Sequence, residues 1–318
     1  MMSCKKKKKH IPRIKTMTVA DFQRLFATDE QCYQHLLKKR WPGVFVCPRC
    51  QGKDYYYQIS RRLYHCRACG YQASLTAGTV FHKTHLPLWK WFWAIYRVSQ
   101  NKKGLSAIQL TKEVDISYPA AWLMLHKLRE TMRKRDKRYR LRGILEFDDA
   151  YVGGEQEGKR GRGAEGKAPI AVAVEERIDK EGDIKPGYAA MEVLDSVSGK
   201  EINRFAEKHI EPGSTIKTDG LGAYRELEHK GYHHKRTVTG GGKAAGKLFP
   251  WVHVTIGNFK RFLLGTHHKA SSKHLGRYLA EFTYRLNRRY HENDLFEHLI
   301  QAVLSSKAIT YQELIAQN

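Results

Sequence analysis

The sequence predicts a mixed α/β fold that follows two smaller N-terminal units. Residues 144–152 form an apolar run that ends at a Gly-Gly break, which is typical of a buried strand. Strand-like and helix-like segments follow it, and upstream two Cys-x-x-Cys pairs precede a helical pattern. We expect five segments: a basic arm with short helices (1–42), a zinc ribbon (43–82), a helical segment (83–138), an α/β domain (139–292) and C-terminal helices (293–318).

Charge is the strongest compositional signal in the 318 residues. Lys and Arg number 57 against 32 Asp and Glu, a formal net charge of +25. This excess indicates a polyanionic partner, with nucleic acid favoured over a ribosomal or membrane-surface role. The most apolar run, Leu86 to Val98, is interrupted by Lys90 and Arg97 and falls short of the roughly 18 residues of a membrane span.

The basic run from Lys5 to Lys9 has no apolar stretch after it, so we do not expect a secretory signal. With no membrane partner and a nucleic-acid partner expected, the protein is predicted to be cytoplasmic and nucleoid-associated. The six cysteines fit a metal site in a reducing compartment better than a disulfide framework.

Four of the cysteines form two knuckles separated by 15 residues: Cys47, Cys50, Cys66 and Cys69. Four thiolates with this spacing suit one tetrahedral Zn²⁺, whereas four buried free thiols would not explain the pairing. Residues 55–57 and 61–64 between the knuckles have the pattern of a hairpin. Metal binding would contribute folding free energy to so small a unit.

Residues 86–134 predict three helices, of which the second (105–114) and third (from 117 or 118 to 132) are joined by Asp115-Ile-Ser. This pair resembles a helix-turn-helix, whose second helix enters the major groove of DNA. Basic residues on the third helix are candidate DNA contacts: Lys127, Arg129, Arg133 and Lys134. The alternative is a packing domain of three helices with a solvated basic face.

The run from Ile144 carries adjacent aspartates, Asp148 and Asp149, whose side chains point to opposite faces of the strand. A second short strand ends at Asp219-Gly220. Buried carboxylates persist when paired, hydrogen-bonded or metal-bound, and hard divalent cations take oxygen ligands. The pattern favours a divalent-metal site, with an edge-strand aspartate in water as the alternative.

The order of elements in this domain suggests an RNase H-like core with a mixed five-stranded sheet. Further strands are predicted at 169–174, 188–194, 215–218 and 232–238, with helices at 200–209 and 221–229. Three strands, a helix and a fourth strand, with aspartates on the first and fourth, match that core by analogy. Glycine-rich basic loops at 158–167, with Arg160 and Arg162, and at 239–247 are candidate phosphate contacts.

The chain resembles the bacterial insertion-sequence transposases of the DDE type that carry an N-terminal zinc ribbon. The resemblance covers roughly residues 20–290. Besides the ribbon and the helix-turn-helix-like segment, it includes the segments 146–154 (EFDDAYVGG), 217–224 (KTDGLGAY) and 278–289 (YLAEFTYRLNRR).

This resemblance implies an enzyme that cuts transposon-end DNA and joins the freed 3′ end to target DNA, acting as a homo-oligomer with two Mg²⁺ or Mn²⁺ ions. Asp148 and Asp219 match the first two catalytic acids of the family. At the third position a glutamate is usual, whereas this chain offers Asn258 as the ligand with Lys260 as its basic companion. His253, Glu281 or no third ligand remain alternatives; Glu281 is also placed to pair with Arg285.

Two other functions remain open from the sequence alone. The chain could be an inactive DNA-binding or regulatory relative, for which the asparagine is the support. It could also be an RNase H-like nuclease that shares the metal site without joining ends.

Overall fold

Two short helices open the folded part of the chain. The computed structural model describes residues 16–153, 167–237, 248–268 and 270–316. Helix α1 (Val19–Phe26) and helix α2 (Asp29–Arg40) each begin with a capping box, at Thr18 and Thr28. The buried rings of α1 pack on the helices that follow, because its apolar residues recur at helical spacing.

The cysteine-bearing segment is a three-stranded antiparallel sheet. Its strands are β1 (Tyr55–Gln58), β2 (Leu63–Cys66) and β3 (Gln72–Ser74), in that order. The predicted hairpin is confirmed, although Arg61 lies in the short 3-10 turn between β1 and β2 rather than in a strand. The third strand has only three residues and was not predicted.

Three helices follow the ribbon, close to their predicted positions: α3 (Leu88–Gln100), α4 (Ala107–Val114) and α5 (Tyr118–Asp136). Asp115, in the left-handed conformation at φ 48°, ends α4 and starts the turn into α5. The buried residues of α5 are spread around the helix rather than along one stripe. A helix that is buried on several sides is a central packing element.

The α/β part holds a five-stranded mixed sheet, formed by β4 (Ile144–Val152), β5 (Ala168–Ile178), β6 (Ile184–Val193), β7 (Thr215–Thr218) and β8 (His233–Arg236). The strand order is β6-β5-β4-β7-β8. The first three strands are antiparallel to one another, whereas β7 pairs parallel to β4 and β8 parallel to β7. This topology confirms the predicted RNase H-like core.

Helices cover both faces of this sheet. Helix α6 (Gly199–His209) and a 3-10 helix (Gly222–Lys230), both close to their predicted positions, cover one face. Helices α7 (Pro250–Phe262) and α8 (Ser272–Leu286) cover the other. Alternation along β4 sends Leu145 and Phe147 to the first face and Ala150 and Val152 to the second.

The C-terminal helices α9 (Leu295–Ser305) and α10 (Tyr311–Ala316) return to the N-terminal half of the chain. Phe296 lies among the rings of Phe22, Phe26 and Phe92, with ring centroids 5.3–6.3 Å apart. One continuous core therefore joins α1, the ribbon, α3 to α5 and these last helices.

A buried ion pair connects the helical segment to the α/β domain. The Arg129 side chain of α5 lies 2.7 Å from the Glu281 carboxylate of α8, and both residues are almost fully enclosed. Arg285 approaches the same carboxylate at 3.5 Å. Nearby, Gly104 has φ +80°, and a Cβ there would come within 2.4 Å of the Phe262 ring, so the two parts are in close contact.

Side chains form hydrogen bonds with the backbone of β6, the strand at one edge of the sheet. The Asn287 side chain accepts a hydrogen bond from the Ala189 backbone amide (2.8 Å) and donates one to the Ala189 carbonyl (3.0 Å). Arg289 donates to the carbonyls of Pro186 and Gly187. These contacts satisfy backbone groups that an edge strand leaves unpaired.

Candidate active site and zinc ribbon

Asp148 lies on β4, and Asp219 directly follows the neighbouring parallel strand β7. In the register of β4 and β7, Glu146 is opposite Lys217. Two residues further along both strands come Asp148 and Asp219, the latter directly after β7 ends. Because adjacent strands are about 4.8 Å apart and side chains alternate, this register brings the two carboxylates together on the face covered by α7.

Helix α7 contributes His253 to this pair. The His253 Nδ1 atom lies 3.6 Å from an Asp148 carboxylate oxygen, and both side chains are partly exposed. Partial burial lowers the pKa of His253, while the Asp219 carboxylate acts in the opposite direction. The ring therefore lies against Asp148, within electrostatic range of Asp219, and favours its neutral form, which can offer a nitrogen lone pair.

Asn258 lies on a different side of α7. At about 100° per residue it is roughly 140° around the helix from His253, whereas Lys260 is within about 20°. Asn258 is exposed, and its side-chain oxygen accepts a hydrogen bond from Arg261 at 3.0 Å. The structure thus places His253 beside Asp148 and Lys260 on the same side of α7, whereas Asn258 lies on another side of the helix and bonds to Arg261.

Asp149 points to the opposite face, as strand alternation predicts. Its carboxylate accepts a hydrogen bond from the Tyr224 hydroxyl at 3.1 Å, and Tyr224 is fully buried. Burial and the nearby aspartates, Asp149 first, raise the pKa of Tyr224 well above its ordinary value. Tyr224 is thus a permanent donor, and the pair supports a structural role for Asp149.

Glu146 is a buried acid whose role was not predicted from the sequence. It lies two residues before Asp148, on the same face of β4, and is 1% exposed. Its carboxylate accepts a hydrogen bond from the Val252 backbone amide at 2.8 Å, in the first turn of α7. Burial, partly offset by this bond, raises its pKa to about 7. A glutamate at an apolar position of a central strand was the available signal.

Two predicted site residues have buried structural roles instead. Arg129 is 3% exposed and paired with Glu281, so the prediction that it contacts DNA is wrong: the helix around it is enclosed by α8. Glu281 is 1% exposed and engaged by Arg129 and Arg285, which favours the structural alternative over catalytic support.

The other predicted DNA contacts differ in exposure. Lys134 is exposed at the end of α5, while Lys127 and Arg133 are half-buried. Arg133 pairs with Glu130 at 2.8 Å, and burial lowers the pKa of Lys127. Arg160 and Arg162, with the second basic loop beyond residue 237, lie outside the described residues.

The four ribbon cysteines converge as a zinc site requires. Sulfur atoms of Cys47 and Cys69 are 3.7 Å apart and those of Cys50 and Cys66 are 3.5 Å apart. All four lie within 4.8 Å of one another. Tetrahedral Zn–S bonds of about 2.3 Å would place sulfurs about 3.8 Å apart, so the cluster fits one Zn²⁺.

The donor set beside α7 fits divalent cations with a preference for oxygen ligands. Asp148 and Asp219 supply carboxylate oxygens at a partly exposed position, and His253 adds a nitrogen. Within the described ranges, only the cysteines bring three or more His, Cys, Asp or Glu ligand atoms within 4.8 Å of one another. A centre with two metal ions about 3.5–4 Å apart spreads its ligands more widely than a single ion does.

None of the helices in the described residues combines the length and the apolar character of a membrane span.

Residues 140–287 match the ISXO2-like transposase domain, and residues 27–72 match the transposase zinc-ribbon domain. The two matches cover more than half of the chain and contain the aspartates, His253 and all four ribbon cysteines.

The individual proteins that align with this chain differ from it at most positions. An uncharacterized protein in the transposable element ISH50 of Halobacterium salinarum is 27% identical over 285 residues, covering 82% of this chain and 91% of that protein. The Mos1 transposase paired-end complex aligns with 68% of this chain and 79% of its own at 11% identity and a TM-score of 0.29. The Mos1 strand transfer complex aligns with 69% and 78% at 13% identity and a TM-score of 0.26.

The two domain matches agree in kind and order with the two sites that the structure forms, a four-cysteine ribbon followed by an RNase H-like core with paired aspartates. The chain belongs to the insertion-sequence transposases of the DDE type that carry an N-terminal zinc ribbon.

Proposed function

We propose that this transposase cuts transposon-end DNA and joins it to target DNA in a reaction that depends on divalent metal ions. The observation that carries the proposal is the register that sets Asp148 beside Asp219, on the face where His253 lies 3.6 Å from Asp148. Two Mg²⁺ or Mn²⁺ ions, when bound, stabilise the attacking and leaving oxygens of a phosphodiester.

Each residue near the site has a role that follows from its position. Asp148 and Asp219 hold the metal ions through their carboxylates. His253, rather than Asn258, supplies the third group from α7, because its ring is directed at Asp148. Lys260, exposed on the same side of α7 about 10 Å further along, contacts a DNA phosphate.

The N-terminal half holds the DNA and one structural zinc ion. Lys134 is an exposed basic residue of this half, whereas Lys127 and Arg133 are half-buried. With a net charge of +25, phosphate contacts would supply most of the affinity. We further propose that the protein works on the nucleoid, in the cytoplasm, and as a homo-oligomer that bridges two transposon ends.

The test is cleavage and joining of duplex DNA that carries the element's own ends, with Mg²⁺ or Mn²⁺. Asp148→Ala and Asp219→Ala should each abolish both steps while DNA binding persists. Asp183→Ala is the matched control, since this aspartate is exposed in the β5–β6 hairpin and should leave the rate unchanged.

Each other outcome points to a different function. Binding of the ends without cleavage by the wild type would indicate an inactive or regulatory relative. Metal-dependent cleavage without joining would indicate a nuclease. Activity that survives either aspartate substitution would show that the metal ligands lie elsewhere.

A further inference from the structure

Helix α7 carries His253 and begins without a polar residue to cap it. The residue before the helix, Phe249, has no side-chain acceptor, and Pro250 occupies the first turn. The first amides of any helix lack intrahelical acceptors and need other partners. One of them, the Val252 amide, is satisfied by Glu146, which is 106 positions away in the sequence.

Glu146 and Asp148 together contact consecutive residues of α7. They lie about 6.7 Å apart on the same face of β4. Glu146 accepts a hydrogen bond from Val252, and Asp148 lies against His253. The helix is therefore held to the strand at the residue directly before the one that faces the carboxylates. A carboxylate at this end also interacts favourably with the helix dipole.

The nearest cation to Glu146 pairs with another carboxylate. Lys217, which lies opposite Glu146 on β7, has its ammonium 2.8 Å from Glu176 on β5. Val252 itself is fully buried in the core beneath α7. The bond thus links a rigid central strand to a well-packed helix, and it sets how far α7 is rotated and shifted over the sheet.

We propose that Glu146 is a positioning residue, which anchors the first turn of α7 to β4 and thereby holds His253 at Asp148 and Asp219. The proposal rests on the function proposed above only for its effect on activity. The anchoring of the helix itself is independent of it.

Three variants separate anchoring from general stability. Glu146→Gln keeps a side-chain oxygen that can accept from Val252, and Glu146→Leu removes it at similar volume. Glu175→Leu is the matched control: Glu175 is also a buried sheet glutamate that accepts from backbone amides, those of Arg142 (3.0 Å) and Tyr188 (3.2 Å), and neither of these donors lies on α7.

Hydrogen exchange of the peptide containing residues 250–256, measured by mass spectrometry, reports anchoring without any need for activity. Exchange should be faster in Glu146→Leu and near wild type in both Glu146→Gln and Glu175→Leu. Wild-type exchange in Glu146→Leu, or equally faster exchange in Glu175→Leu, would overturn the proposal.

The kinetic readout uses the same variants, with rates expressed per folded molecule. In Glu146→Leu the turnover for strand cleavage should fall on the order of 100-fold, with the KM for DNA unchanged, because a displacement of about 1 Å costs that much. Glu146→Gln should stay within about 5-fold of wild type. An equal loss in Glu146→Gln and Glu146→Leu would contradict anchoring by a hydrogen bond. A wild type without cleavage would count against the proposed function, while the exchange result would still decide the anchoring.

Discussion

The buried hydroxyl of Tyr224 donates a hydrogen bond to Asp149 at 3.1 Å, on the side of β4 opposite Asp148. The two adjacent aspartates of one strand therefore belong to different environments. One faces His253 at the candidate metal site, and the other is held in the core beside α6.

Tyr224→Phe should separate these environments. Loss of a buried hydrogen bond to a carboxylate should lower the free energy of unfolding by about 1.5–3 kcal/mol. The metal dependence of cleavage should be unchanged, since Asp148 faces away from this bond. Urea unfolding and a Mn²⁺ titration of the cleavage rate measure the two effects. A shifted metal dependence at unchanged stability would assign Asp149 to the metal site.

The third metal ligand can be identified by metal preference. A nitrogen ligand suits Mn²⁺ better than Mg²⁺, which favours oxygen. We expect the wild type to cleave DNA faster with Mn²⁺ than with Mg²⁺. His253→Glu should raise the Mg²⁺-dependent cleavage rate and so bring the two rates closer together. Asn258→Glu is the matched control and should leave the ratio of the two rates unchanged. If only Asn258→Glu raises the Mg²⁺ rate, Asn258 is the ligand.

The ion pair between the two halves predicts an asymmetric effect on stability. Glu281→Leu leaves both Arg129 and Arg285 without their buried carboxylate, so it should cost about 3–5 kcal/mol. Arg129→Met should cost less, because Arg285 still pairs with Glu281. Urea unfolding of the two variants tests the order, and equal costs would contradict it.

The same substitution tests the revised DNA contacts. Arg129→Met should leave DNA affinity unchanged, because its side chain is enclosed. Lys134→Ala, on the exposed end of the same helix, should weaken DNA binding. It should also make the plot of log affinity against log salt concentration less steep, by the amount that corresponds to about one phosphate contact. A titration at several salt concentrations distinguishes them, and a large loss of affinity in folded Arg129→Met would restore the original prediction.

Two histidines at the junction, the fully buried His126 and the half-buried His267, predict acid sensitivity. Burial, with help from the cations Arg129 and Arg277, lowers the pKa of His126 to about 2, and burial lowers that of His267 to about 4. Below the ordinary pKa of about 6.5, the unfolded chain binds these protons and the folded chain does not. Stability should therefore fall as the pH drops, by about 2 kcal/mol per histidine between pH 7 and pH 5.

Thermal unfolding at pH 7 and pH 5 measures this loss. His126→Leu should make the melting temperature less dependent on pH, whereas His233→Gln, at an exposed position, should not. An unchanged pH dependence in His126→Leu would show that other groups control acid unfolding.

Local patterns were sufficient for most of the elements and for the zinc ribbon. All five strands of the mixed sheet were predicted, most of them from short apolar runs bounded by glycine or polar residues, although β8 itself contains only polar residues. Cysteine spacing predicted the four converging sulfurs, since a ligand set that is close in sequence depends little on long-range packing.

Long-range geometry accounts for what the sequence left open. The choice between His253 and Asn258 depends on how α7 is rotated over the sheet, and a contact from Glu146, far away in the chain, restrains that rotation. Arg129 belongs to a basic cluster in sequence, yet α8 encloses it. Neither fact has a signal within a few residues of the position concerned.

The side-chain contacts on strand β6 also limit how copies of this protein can associate. Asn287 forms hydrogen bonds with both the amide and the carbonyl of Ala189, and Arg289 donates to the carbonyls of Pro186 and Gly187. An incoming strand would have to displace these side chains before it could pair along this edge. Extension of the sheet from this edge into another subunit is thus disfavoured, and the folded protein is protected at β6 from one common route to aggregation.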